Sequence, residues 1–120
     1  MSHLSKIKTK IKNKIVLQQS LKDLNILSNT SPDLQDIQIY SEDIKFKYNV
    51  LFKWEKNNYE FIADSNTWQE KNMLSSLLEK IQQQYAYNTI MKTSRGEGFQ
   101  YIEQEILKDG SMRIILEKWL

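Results

Sequence analysis

The chain has 120 residues with no cysteine, three glycines and one proline; 40% of its residues are hydrophobic and 27% charged. That length fits one domain, residues 1–120, and the composition is that of a globular rather than a disordered protein. Disulfides, thiol nucleophiles and cysteine metal sites are excluded, and no apolar run approaches the roughly 18–20 residues a membrane span needs.

The net charge of +2 conceals an asymmetry: the first 14 residues carry five lysines and no acid, and the remainder is net acidic. Of the 17 basic residues only Arg95 and Arg113 are not lysine. Together with frequent Ile and Asn, this points to an AT-rich gene. The start MSHLSKIKTK has neither the apolar core of a secretory signal nor the Arg- and Ser-rich character of a transit peptide, so the protein is expected to work where it is made.

From Ser5 the residues Ile7, Thr9 and Ile11 alternate with Lys6, Lys8, Lys10 and Lys12. A period of two is a strand signal, and it sets four lysines on one side. Asn13 then caps a helix whose apolar positions Leu17, Leu21 and Leu24 recur at three and four, with Asn25 suited to a left-handed C-terminal residue. SNTSPDLQD reads as a loop and Ile37–Tyr40 as a short strand.

The strongest pattern follows. Ile44, Phe46, Tyr48, Val50, Phe52 and Trp54 occupy successive even positions, with Lys45, Lys47, Asn49 and Lys53 between them and Leu51 as the exception. EKNN turns this long strand into a partner carrying Tyr59, Phe61 and Ala63. A helix capped by Ser65 or Asn66 presents Leu74, Leu77, Leu78, Ile81 and Tyr85 as one stripe. Its continuation through Tyr87 to Lys92 is weakened by Asn88 and Thr89, and Gly96 and Gly98 end it. Strands Phe99–Leu107 and Met112–Trp119, joined at KDGS, close the chain. The order β-α-β-β-(β)-α-β-β predicts an α+β fold: an antiparallel or mixed sheet with two helices packed on one face.

Two readings of the lysines stand. Lys6, Lys8, Lys10 and Lys12 can share an open sheet face with Lys45, Lys47 and Lys53 and offer a basic platform to single-stranded nucleic acid. The other, favoured reading is a solvated face that discourages edge aggregation. It is favoured because the alternation sends Phe46, Tyr48, Phe52 and Trp54 to the opposite side, where bases cannot stack on them. Glu103, Glu105 or Glu117 of the closing hairpin can also pair with those lysines across strands.

Catalytic signals are weak. His3 is the only histidine, and the carboxylate pairs Glu103/Glu105 and Glu42/Asp43 are short-range surface patterns. RGEG at Arg95–Gly98 lacks the spacing of a phosphate loop and is better read as a helix terminator. No catalytic, cofactor-binding or metal-ligating residue is assigned. In QQQYAYN, Tyr85 and Tyr87 lie about 200° apart on a helix, so one of them shows its ring at a surface, as Trp68 does; exposed aromatics suit an interface, though a packed ring with a wet hydroxyl needs no partner.

The segments MSHLSKIKTKI, YEFIAD with Trp68 shortly after, QQQYAYNTI, Gly98–Phe99 and DGSMRIILEKW, in that order, resemble a family of hypothetical reading frames carried in chloroplast genomes, especially of algae, and in cyanobacteria: number thirty-five in the plastid series. The similarity spans nearly the whole chain. Leu4 stands where Phe is expected, and the loop Ser28–Asp36 diverges. The resemblance implies a plastid-encoded protein of the stroma, or of the cytoplasm in a cyanobacterium, and brings no activity, cofactor or catalytic residue.

Three functions are open on these grounds. The first is a small non-enzymatic module binding another protein or a small ligand through some of Lys6, Lys8, Lys10, Lys12, Lys45, Lys47, Trp68, Tyr85 and Tyr87. The second is nucleic-acid binding through the lysine face. The third is a small enzyme with a site near His3, Tyr85 or Tyr87.

Overall fold

Asn13 opens the first helix as its side chain requires. Extended at φ −104°, it accepts the N–H of Val16 at 3.1 Å. At the other end Asn25 takes φ 58°. The N–H of Ile26 bonds the carbonyl of Leu21 at 2.9 Å, and that of Asn25 bonds Lys22 at 3.0 Å. This is a Schellman closure, with Ile26 folded back against the core that holds Leu21. The helix between these ends buries Val16, Leu17, Ser20 and Leu21.

A computed structural model describes residues 3–41, 48–65, 67–96 and 99–118. The elements run β1 (His3–Lys8), α1 (Lys14–Asp23), β2 (Leu27–Thr30), β3 (Ile37–Tyr40), β4 (Asn49–Glu55), β5 (Asn58–Ser65), α2 (Trp68–Gly96), β6 (Phe99–Ile106) and β7 (Met112–Lys118). The first five strands form an antiparallel sheet in the order β1-β5-β4-β3-β2. Ile37, Ile39, Val50, Phe52, Tyr59, Phe61 and Ala63 are buried on one side of it, in one cluster with Leu17 and Leu21 of α1 and Leu74, Leu78 and Ile81 of α2. Both helices thus cover the same face, and the fold is α+β as expected. Phe52 sits edge-on to Phe61 at 5.4 Å and to Tyr59 at 6.3 Å; each such side chain contributes about 1.5–3 kcal/mol through burial.

Four local readings need correction. First, the lysine-bearing strand ends at Lys8 rather than running on to the helix. Thr9 is the reason: its hydroxyl donates to the carbonyl of Tyr59 at 2.7 Å and accepts the N–H of Ile11 at 3.2 Å. The Thr9 N–H still reaches that carbonyl at 3.2 Å, but the Tyr59 N–H bonds the carbonyl of Ile11 at 2.9 Å rather than that of Thr9, so the regular ladder stops there, with Thr9 and Ile11 buried and Lys10 and Lys12 exposed.

Second, the loop assigned to Ser28–Asp36 begins as strand β2, whose four residues are all exposed. It has no burial alternation to betray it and is held by its ladder to β3. Third, the cap of α2 is Thr67, not Ser65 or Asn66. Its hydroxyl accepts the N–H of Glu70 at 3.0 Å, and Glu70 returns a carboxylate to the N–H of Thr67 at 3.2 Å.

Fourth, β6 and β7 form a sheet of their own. The hairpin turns at Gly110, φ 86°, with Asp109 accepting the N–H of Ser111 at 2.9 Å, and docks on α2 where Gln83 donates to the carbonyl of Gly110 at 2.9 Å. Glu105 accordingly faces Arg113 of the same hairpin at 3.6 Å and not the lysines of β1.

Helix α2 runs unbroken through 29 residues, about 43 Å at 1.5 Å per residue. Residues 44–47 of the long central strand lie outside the described residues, and with them Lys45 and Lys47. Glu42 and Asp43 do too.

Candidate functional site

With both helices on one side, the other side of the five-stranded sheet is uncovered among the described residues. Its composition follows from the register. Crossing from β1 to β2, one row reads Lys6, Ile62, Leu51, Gln38, Asn29; the row beside it reads Leu4, Asp64, Asn49, Tyr40, Leu27. Ile62, Leu51 and Tyr40 are only half-buried; Leu4 is 63% and Leu27 45% exposed. A third row sets Lys8 beside Glu60 and Glu60 beside Lys53, and Lys53 also meets Glu55 at 3.3 Å. Opposite charges therefore alternate at one end of this face, Ile62 and Leu51 stand side by side at its middle, and the Gln38 amide donating to Asn49 Oδ1 at 2.6 Å runs between them and Tyr40.

The predicted site residues fall in different places. Lys6 and Lys8 lie on the open face of β1. Lys10 and Lys12 follow it as exposed side chains outside the strand. Trp68 is the first residue of α2 and His3 the first of β1, facing Ser65 in register; their side chains lie outside the described residues. Tyr85 belongs to the packing: its ring lies against the core, and its hydroxyl oxygen accepts the N–H groups of Lys12 and Asn13, each at 3.1 Å. Tyr87 is half-buried and lines a cavity of about 480 Å³ between α1 and α2 with Ile15, Met91 and Arg95. The two tyrosines of QQQYAYN are thus separated as a helix demands, with Tyr85 inward and Tyr87 in a cleft.

Leu51, Ile62 and Tyr40 were missed as surface candidates. Leu51 carried the signal: it is the apolar residue that broke the polar positions of the central strand. A second missed feature is Ser65, 1% exposed, whose hydroxyl has no hydrogen-bond partner among the described residues; Asn58 Oδ1 is likewise buried and unpartnered among them.

Protonation behaviour is shifted at three described groups. Tyr59 is pushed up to about 12 by burial, by the carboxylate of Asp36 and by Tyr85; burial raises Tyr48; and the hydrogen bonds of Ser111 lower Asp109. Tyr59 donates to the carbonyl of Gln35 at 2.7 Å, a structural bond at the edge of the core. Among the described residues no group of three His, Cys, Asp or Glu side chains could hold a metal ion, and no helix is long and apolar enough to cross a membrane.

The chain is similar to the uncharacterised protein ycf35 of Guillardia theta, 32% identical over 128 residues covering 99% of this chain and 98% of the relative. It is 34% identical to that of Cyanophora paradoxa and 31% to that of Pyropia yezoensis, with the same coverage. These relatives point to a plastid origin. No solved structure matches the chain. Residues 20–115, from the second half of α1 into β7, match the family model described as protein of unknown function DUF1257, and with relatives aligned along almost its whole length the chain belongs to that family.

Proposed function

We propose that the protein is a non-enzymatic interaction module of the plastid stroma, one domain over residues 1–120, that binds another protein through the uncovered face of its sheet. The observation that carries this reading is the neighbouring pair Ile62 and Leu51, half-open to solvent, with Tyr40 and exposed Leu4 and Leu27 on the same face. An apolar centre with a charged rim is the anatomy of a protein interface, and Lys6, Lys8, Lys53, Glu60 and Asp64 provide the rim. Tyr85, held by two backbone donors, drops out of the partner surface.

A tagged copy recovered from stroma at low salt should bring down one stoichiometric protein, and Leu51→Glu with Ile62→Glu should abolish its recovery. Recovery of the wild type alone, or of the same partner by the double variant, refutes the reading. The exposure of Lys6, Lys8, Lys10 and Lys12 favours nucleic acid as a second reading. That reading requires an affinity that falls steeply with salt and weakens when Lys8 and Lys10 become Gln.

A further inference from the structure

Among the described residues strand β1 is an edge of the sheet. The N–H of Thr9 donates to the carbonyl of Tyr59, so in an antiparallel ladder the odd-numbered residues of this segment address β5. Leu4, Lys6 and Lys8 turn their N–H and C=O groups outward, away from the sheet. Beside this free edge, on the helix side, α2 covers β5 but not β1. A groove of about 350 Å³ results, with Ser5 and Ile7 on one wall, Lys71, Leu74 and Ser75 on the other, and Phe61, Ala63 and Ser65 at its floor. Ile7 is 39% exposed there although it faces Phe61 in register. The Ser65 hydroxyl, without a partner among the described residues, lies at the floor.

We infer that the free edge of β1 and the groove between it and α2 bind an extended acidic peptide segment of a partner protein, added as a sixth strand. This rests on the interaction-module reading and names its ligand chemistry. Strand addition supplies main-chain hydrogen bonds, and alternate side chains supply specificity. Side chains on the helix side of such a segment enter the groove over Ile7 and Leu74, and a long polar one reaches towards Ser65. Those on the other side stand next to Lys6 and Lys8, with exposed Lys10 beyond.

Charge decides the occupant. No described residue lining the groove is acidic; Lys71 borders it, and Lys6 lies along the same edge with its side chain on the open face. Lys8 has Glu60 directly across the strand, whereas Lys6 has Ile62 directly across it and Glu60 and Asp64 on the diagonals. A second copy pairing β1 against β1 would set lysine against lysine, which is destabilising. The opposite edge, β2, offers neutral Ser28, Asn29 and Thr30 and does not select for charge.

The test uses isotope-labelled protein and two acetylated nonapeptides, one alternating Glu with Val and the other Lys with Val. Hydrogen exchange at the outward amides of Lys6 and Lys8 should slow by about tenfold or more with the Glu peptide and remain unchanged with the Lys peptide. Lys6→Pro removes one outward N–H without touching the ladder to β5, as edge strands allow; it should abolish the effect while the Ser5 and Ile7 amides stay protected. Lys6→Gln with Lys8→Gln keeps the N–H groups and should weaken binding several-fold. No slowing with the Glu peptide, or equal slowing with both peptides, overturns the inference. So does recovery of the wild-type stromal partner by Lys6→Pro, an outcome that leaves the wider interaction reading standing. Slowing by the Glu peptide where the wild type recovers no stromal partner supports the groove and removes the wider reading.

Discussion

The phenol oxygen of Tyr85, midway along α2, lies 3.1 Å from the backbone nitrogen of Asn13, the residue that caps α1. It lies equally close to the nitrogen of Lys12. One side chain thus fixes where the lysine-bearing segment stops and the first helix begins. Tyr85→Phe keeps the ring against the core and removes the acceptor. Both donors are near the surface, so water replaces part of the loss, and the variant should be less stable by about 1 kcal/mol in urea unfolding. An unchanged midpoint would show that the hydroxyl is dispensable there.

Tyr59 makes stability depend on alkaline pH. Its ordinary value of 10.0 rises to about 12 in the folded chain through burial, Asp36 and Tyr85. Below pH 10 both states hold the proton and the contribution is complete. Between 10 and 12 the unfolded chain releases its proton first, so stability falls as pH rises, by roughly 2 to 3 kcal/mol across the window. Unfolding curves from pH 9 to 12 should show this decline, shallower in Tyr59→Phe. Some slope should persist in that variant because burial raises Tyr48 in the same direction. Identical slopes in both proteins would remove Tyr59 as the cause.

Lys56 is strained. It occupies φ 55° in the two-residue connection between Glu55 and Asn58, a position where glycine carries no steric cost. Lys56→Gly should stabilise the protein by about 1 kcal/mol, since relief of the left-handed backbone outweighs the added freedom of the unfolded chain. Lys56→Val should destabilise by a similar amount. Thermal midpoints that fail to move in opposite directions would contradict this.

How much of the fold could be read from the sequence depended on whether a residue's role was local. Asn13, Asn25, the Glu55–Asn58 turn and the apolar stripe of α2 declared themselves, because caps, left-handed residues and periodic burial act over a few residues. The alternation of the central hairpin likewise assigned Phe52, Tyr59 and Phe61 to the core. Strand β2 did not, because an exposed edge of Leu, Ser, Asn and Thr is held only by a partner strand. Thr67 was passed over for its neighbours although Glu70, three residues on, marked the reciprocal cap. The closing hairpin was read correctly as a hairpin, but its separation from the main sheet is a long-range fact. Of the candidate surface the lysines were visible as a period of two. The neighbourhood of Leu51, Ile62 and Tyr40 needs the register of three strands before it exists.

Asn88, which weakens the helix by propensity, earns its position across the helix–helix contact. Its amide nitrogen donates to Ser20 Oγ and to Asp23 Oδ2, each at 3.0 Å, and its carbonyl accepts from Gln84 at 3.2 Å. Asp23 in turn accepts from Gln19 at 2.8 Å. Ser20 is fully buried, and its own proton already goes to the carbonyl of Val16 at 2.7 Å, so Asn88 supplies the donor its oxygen would otherwise lack. Asn88→Ala raises the local helix propensity by less than about 1 kcal/mol but forfeits this clasp, at a cost of about 1–3 kcal/mol where the buried oxygen is concerned. The net effect should be destabilising. Asp23→Ala loses only surface bonds and should cost less. In a double-mutant cycle the two should couple by about 0.5–1 kcal/mol, because the Asn88–Asp23 bond can be lost only once. Strict additivity would mean that the Asn88–Asp23 bond contributes nothing and that the clasp rests on Ser20.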